Sequence, residues 1–189
     1  AFGLRDASDL FSVERLDAYQ KLLELCARQV GNLINLSELA SLSGISSGTV
    51  SRYLSLMEEA HILRLLPSFA GGKRREVTSA RKVYFLDNGL RNTVLGRLPE
   101  APEEGVELGA LLENWVYGEL VKGLPWTRVV RYWRSLSGAE VDFVIDAPAA
   151  LLGIEVKAAT LSRPRLSRSS RSFVSAYDPA EFWVLNRGH

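Results

Sequence analysis

Cysteine and histidine are almost missing from this chain of 189 residues, which has one cysteine, Cys26, and two histidines, His61 and His189. A lone thiol cannot close an internal disulfide, and so few soft ligands exclude zinc fingers and histidine-dependent hydrolytic sites, which need Cys and His at ligand spacing. Cys26 falls beside Leu22 and Leu23 on the apolar side of a helical pattern, as a core filler does, and His61 stands at a helix end, where an imidazole meets exposed carbonyls. Apolar runs of membrane-spanning length and a charged, apolar, small-residue leader are also missing, so the expected location is the cytoplasm. A start at Ala1 rather than Met is expected of a piece of a longer protein. An excess of one charge is missing as well. The formal net of +1 leaves any affinity for nucleic acid to local patches. Gly72-Lys73 is no phosphate loop, because Pro67 stands where the first glycine belongs and Arg74 where Ser or Thr would reach a metal, so ATP hydrolysis is not expected. Gly44-Ile45-Ser46-Ser47-Gly48 matches a hydrolase elbow in letters only, since the strand before it and a partner histidine are both wanting.

What is present suffices for real cores: 47% of the residues are apolar, and they fall into two differently patterned halves. The stretch Gly96-Arg97-Leu98-Pro99-Glu100-Ala101-Pro102-Glu103-Glu104-Gly105 has the glycines, prolines and acids of a linker. The expected organisation is a leading segment 1–15, a first domain 16–95, a linker 96–105 and a second domain 106–189.

In the first domain Tyr19, Leu22, Leu23, Cys26 and Val30 form a helical stripe that Gly31-Asn32 ends. A second helix is expected from Ser37, whose hydroxyl would cap it, with Leu39, Ala40 and Leu42 buried. After the Ser43-Gly44 turn, a third begins at Ser46 or Ser47 with Val50, Tyr53, Leu54 and Met57 inward. This resembles a helix-turn-helix, with Ser47, Thr49, Ser51 and Arg52 lining the exposed start of the recognition helix, where they would meet phosphates or base edges of DNA. Ile62–Leu66 and Arg81–Leu86 read as the strands of a wing whose tip carries Lys73, Arg74 and Arg75. Such modules also serve as protein docking units, and a charge run is commonly just solvated. A second basic group is Arg163, Arg165, Arg168 and Arg171, of which Arg165, Arg168 and Arg171 share one face if Pro164 opens a helix; its serine-rich setting equally fits a loop.

In the second domain Leu108, Leu111, Leu112, Trp115, Val116 and Leu120 recur at helical spacing. Val129–Trp133, Gly138–Asp146, Ile154–Lys157 and Phe182–Leu185 read as strands, with a helix between the last two, giving the order αβββαβ. The tryptophans Trp115, Trp126, Trp133 and Trp183 are expected in core or sheet-edge packing. If Ala147-Pro148-Ala149-Ala150 is a hairpin loop, paired positions sum to 297. Asp142 then faces Glu155 and Glu140 faces Lys157, while Val141, Phe143, Ile145, Leu152, Ile154 and Val156 form the greasy side. Two opposed carboxylates destabilise a sheet by up to roughly 1 kcal/mol, so a reason is required. A hard cation, Mg²⁺ or Mn²⁺, held by Asp142 and Glu155 beside Lys157, would provide it, and the metal would lower the pKa of a bound water.

With a helix glutamate placed before the strand aspartate and the Glu-X-Lys triplet, the second domain resembles the PD-(D/E)XK, or restriction-endonuclease-like, superfamily. The Gly109-X-X-X-Glu113 spacing looks like the first helix of archaeal Holliday-junction resolvases. The resemblance implies that Glu113, Asp142 and Glu155 bind metal and that Lys157 completes the catalytic set, with Glu119 a rival to Glu113. Over a wider span, Leu36–Ala40 with Thr49–Leu54, Lys82–Leu90 and Gly109–Asn114 resemble the C-terminal domain of unknown function of prokaryotic AAA-type ATPases. That resemblance implies an α+β or α/β chain built as a winged helix-turn-helix followed by a nuclease-like domain. It also implies DNA and an N-terminal ATPase module as partners. The activity implied is a Mg²⁺-dependent DNA phosphodiesterase, with a non-catalytic DNA-binding or protein-docking module as the alternative.

Overall fold

The computed structural model describes residues 13–73, 75–97, 106–125, 127–147, 150–161, 163 and 165–188. The first half runs α1 (Leu16–Arg28), β1 (Leu33–Ile34), α2 (Leu36–Ser43), α3 (Ser47–Glu59), β2 (Leu63–Pro67), β3 (Arg81–Phe85) and α4 (Asn88–Val94). The second runs α5 (Val106–Gly123), β4 (Val130–Arg134), β5 (Glu140–Ala147), β6 (Ala150–Lys157), α6 (Arg168–Tyr177) and β7 (Glu181–Asn186), which is the expected order αβββαβ. The architecture is mixed α and β, with a three-stranded sheet in the order β1-β3-β2 and a four-stranded sheet in the order β4-β5-β6-β7. No helix among the described residues is long and apolar enough to cross a membrane.

Local chemistry explains the helix ends. Asn35, not Ser37, caps α2, its side chain accepting from Ser37 N and Glu38 N at 2.9 and 3.2 Å, so the helix starts one residue earlier than expected. Gly44, with φ of 69°, takes the left-handed turn that ends α2, and the Ser46 hydroxyl accepts from Thr49 N at 3.1 Å to start α3. The buried sides of these helices, Tyr19, Leu22, Leu23, Cys26, Leu39, Val50, Tyr53, Leu54 and Met57, close over Val83 and Phe85.

β3 is central in a second sense. Its residues alternate, so while Val83 and Phe85 enter the first core, Tyr84 enters another, with Val116 and Tyr117 of α5 and Val130, Tyr132, Phe143, Ile145 and Ile154 of the larger sheet. The two halves therefore share apolar packing, and residues 98–105 of the expected linker lie outside the described residues. Asn114 of α5 fastens the junction, its side chain accepting from Phe85 N at 2.7 Å and donating to Phe85 O at 3.0 Å.

The connection between β2 and β3 differs from the free wing tip that the sequence suggests. It lies along β4: Phe69 N donates to Tyr132 O at 2.6 Å, Val77 N to Arg134 O at 2.9 Å, and Leu136 N to Arg75 O at 2.9 Å. Phe69 packs edge-on against Phe173 and Tyr177 of α6, and the Glu76 carboxylate accepts from Trp133 Nε1 at 2.8 Å, Gly72 N at 3.1 Å and the Tyr177 hydroxyl. An open edge strand has unmet backbone groups, and this loop satisfies those of β4.

In the larger sheet the β5–β6 register follows the sum of 297, from Phe143↔Ile154 to Ala147↔Ala150. Only residues 148 and 149, outside the described residues, separate the strands, so the loop is two residues shorter than expected. α5 turns differently from its expected stripe: Trp115 is 55% exposed, while Asn114 and Tyr117 are buried. Trp133 is fully buried and Trp183 is exposed at the β7 edge, while Trp126 lies outside the described residues.

Candidate functional site

The chemistry converges where β3 meets the second half. Alternation puts Lys82 on the Tyr84 side of β3, beneath α5 and against β5, and its side chain is only 2% exposed. Lysine is almost never buried so deeply without a partner. Here its ammonium lies 2.6 Å from Glu140 Oε1 and 3.1 Å from Glu113 Oε1, with the Tyr132 ring centroid 5.8 Å away. The Tyr84 hydroxyl donates to the same Glu113 oxygen, and Arg134 Nη1 reaches Glu140 Oε2 at 2.9 Å. Gly31, at φ of 77°, leaves room beside this carboxylate, since a Cβ there would stand 3.4 Å from Glu113 Oε1.

Asp142 joins this group through an irregularity of the sheet. Arg131 pairs with Val144 and Trp133 with Val141, so Tyr132 alone opposes both Asp142 and Phe143. Such a β-bulge redirects side chains. Val141 now packs with Val144, Trp133 and Phe173 toward α6, whereas the expectation put Val141 with Phe143. The Asp142 carboxylate accepts from Val156 N at 2.7 Å. Burial raises the Asp142 carboxyl to about 7; Glu113 and Glu140 add to the rise, while Lys82 and the Val156 N–H oppose it. Burial alone would lower the Lys82 ammonium, but Glu113, Glu140 and Asp142 outweigh it, and Lys82 is held above its ordinary value. The Tyr84 hydroxyl is raised, first by burial and then by Glu113.

Glu155 leaves the sheet toward α6 instead. Its carboxylate accepts from the Ser170 hydroxyl and pairs with Lys157 Nζ at 2.5 Å. Burial alone would raise the Glu155 carboxyl, but Lys157 and Ser170 outweigh that effect and hold it below the usual range. β5–β6 pairing ends at Phe143↔Ile154, one residue short of Asp142 and Glu155, and the two carboxylates serve different clusters. The four expected catalytic residues thus divide into Glu113 with Asp142 and Glu155 with Lys157. Glu119, the rival of Glu113, is exposed and pairs with Lys122. Among the described residues, no group of three or more His, Cys, Asp and Glu side chains is arranged to hold a metal ion. The arrangement around Lys82 does not fit Mg²⁺ or Mn²⁺, because the ammonium already occupies the space between Glu113 and Glu140.

The expected DNA-facing residues are distributed as follows. Ser47, Ser51 and Arg52 are exposed on α3, while Thr49 is half-buried, with its hydroxyl 2.9 Å from that of Ser46. Lys73 and Arg75 are exposed on the loop beside β4, with Lys73 5.8 Å from the Tyr177 ring centroid, and Arg74 lies outside the described residues. Ser167 caps α6 at Ser170 N, so the helix begins at Arg168, Arg165 precedes it, and Pro164 lies outside the described residues. Arg165, Arg168 and Arg171 are exposed, and Arg171 Nη1 donates to Leu166 O at 2.7 Å.

Sequence reasoning missed Lys82, Tyr84, Arg134 and Glu76, and it assigned Glu140 to Lys157. One signal was present. In Arg81-Lys82-Val83-Tyr84-Phe85, alternation puts Lys82 and Tyr84 on one side, opposite an apolar pair.

Residues 3–101, more than half of the chain, match the family described as Domain of unknown function (DUF8612), and the chain belongs to that family. Residues 108–189 match the family described as Domain of unknown function (DUF4143). The chain is similar to uncharacterized proteins of Mycobacterium bovis and Mycobacterium tuberculosis, each 34% identical over 152 residues that cover 78% of this chain and 33% of the relative. It is also similar to an uncharacterized protein of Haemophilus influenzae, 24% identical over 158 residues covering 81% of this chain and 37% of that protein. The chain spans about one third of the length of these curated relatives. No solved structure matches it.

Proposed function

We propose that this chain, a member of the DUF8612 family, is a DNA-binding module. Its nuclease-like half acts as a non-catalytic scaffold in which Lys82 supplies the positive charge that a metal would supply in a phosphodiesterase. One observation carries this reading: the Lys82 ammonium is buried between Glu113 and Glu140, two carboxylates of the second half. Charges taken from water need partners, and this arrangement supplies them from within the chain.

The DNA part of the reading is supported by the order α1-β1-α2-α3-β2-β3 with the sheet order β1-β3-β2, as in a winged helix, and by Ser47, Ser51 and Arg52 exposed on α3. Arg165 and Arg168 extend the basic surface on the second half. An N-terminal ATPase in a longer protein is the partner we propose, since the relatives run well beyond the matched region.

The test incubates the chain with Mg²⁺ or Mn²⁺ and duplex, single-stranded or branched DNA, following binding and strand cleavage together. Expected are salt-dependent binding and no cleavage. Metal-dependent cleavage that disappears in Asp142→Ala and Lys157→Ala would overturn the scaffold reading in favour of the phosphodiesterase. An absence of binding at low salt would overturn the DNA reading and leave protein docking.

A further inference from the structure

A cleft of about 270 Å³ opens between β2 and the C-terminal end of α5, with β4 as its far wall. Its walls are apolar, including Leu66, Leu124, Val129 and Val130, and no acidic side chain is among the described residues that line it. Two guanidinium groups stand there, Arg64 and Arg128. Arg64 is braced by Glu58 O at 2.6 Å and His61 Nδ1 at 3.1 Å, while the Glu58 carboxylate is taken by Leu65 N at 2.9 Å. The Arg128 guanidinium is half-buried.

Tyr117 also lines the cleft. The residue is only 5% exposed and its ring stacks on Tyr84, yet its hydroxyl has no hydrogen-bond partner among the described residues. Every fully buried side-chain polar atom among the described residues has a partner, so this hydroxyl is not fully buried. Burial pushes the phenol up to about 12, with the Glu58 carboxylate adding to the rise and Arg64 opposing it, so it stays a neutral donor at physiological pH. One donor set among apolar walls is the usual composition of a small-ligand site, in which the few polar groups fix the orientation.

We propose that this cleft binds a small organic monoanion with an apolar body, of the medium-chain or aryl-alkanoic carboxylate class. The carboxylate meets Arg128, Arg64 and the Tyr117 hydroxyl, and the hydrocarbon covers Leu124 and Val129. The site shares no residue with the Lys82 cluster, so it stands or falls independently of the scaffold reading.

The experiment titrates the chain with octanoate and, as the uncharged counterpart, octanamide, by calorimetry and by amide chemical shifts. The expected result is saturable octanoate binding at or below about 1 mM, with octanamide at least about tenfold weaker. Tyr117→Phe, which retains the stacked ring, should weaken octanoate several-fold, and Arg128→Gln about tenfold, with thermal melts confirming that both variants fold. Equal binding of acid and amide, octanoate binding unchanged in Arg128→Gln, or no saturation by about 10 mM would each overturn the proposal.

Discussion

Replacing Lys82 with methionine keeps the length and apolar stem of the side chain and deletes the ammonium that lies 2.6 Å from Glu140 and 3.1 Å from Glu113. Three carboxylates, Glu113, Glu140 and Asp142, then share a site in which Arg134 is the closest remaining cation described and Tyr84 donates one hydrogen bond. Removing one partner of a buried ion pair costs about 3 to 5 kcal/mol, because the charge left behind has lost its water as well as its partner. For a chain of this size that loss corresponds to a fall in melting temperature of about 6 to 20 °C. Urea unfolding with a constant m-value reads the free energy directly. The deficit should shrink between pH 7.5 and pH 5, as a proton on Asp142, whose carboxyl is raised to about 7, offsets part of the missing positive charge. Adding Glu113→Gln to the Lys82→Met chain should restore about 1 to 3 kcal/mol by removing a like charge. A loss below about 1 kcal/mol, unchanged by pH, would refute the account, because it would mean that the ammonium is not the neutralising charge of this cluster.

Asp142→Asn preserves an acceptor for Val156 N and removes a carboxyl that the fold raises to about 7. Because the folded value lies above the unfolded one, Asp142 contributes stability that is present below about pH 4 and lost as pH rises through about 7; wild-type melts should show this loss, on the order of 4 kcal/mol, and the variant should not. Glu76→Ala deprives Trp133 Nε1, Gly72 N and the Tyr177 hydroxyl of their acceptor, and should cost about 1 to 3 kcal/mol while speeding hydrogen exchange at Val77 and Leu136. Arg165→Ala with Arg168→Ala should lower the salt slope of duplex binding by about 1.8 if both guanidinium groups meet phosphates, measured by anisotropy between low and moderate salt. Gly153→Ala would place a methyl 2.6 Å from the Phe182 ring and 3.1 Å from Phe173, which predicts a loss of about 1 to 3 kcal/mol from overpacking in thermal melts.

The order of the elements other than β1 and α4, and the β5–β6 register, could be read from residue patterns, because periodicities of 3.6 and 2 and the sum of 297 are properties of neighbouring residues. Val50, Tyr53, Leu54 and Met57 on α3 and Phe143 facing Ile154 were legible in this way. The bulge opposite Tyr132 was not. No turn residue marks it, and one extra residue in β5 reverses the side on which Val141 stands. The resting place of the β2–β3 connection was hidden for a related reason: Lys73 and Arg75 look like a solvated tip until β4 offers its edge.

Sequence alone determined the helices and strands other than β1 and α4, their order, and the carriers of the charged groups Glu113, Asp142, Glu155 and Lys157. Tertiary structure decided which of those charges meet. It brought Lys82, 31 positions before Glu113, into contact with that carboxylate, and it sent Asp142 and Glu155 to different clusters. The physical reason is range: periodicity reports which face a residue occupies on its own element, whereas ion pairing depends on how elements distant in the chain pack together once water is excluded between them.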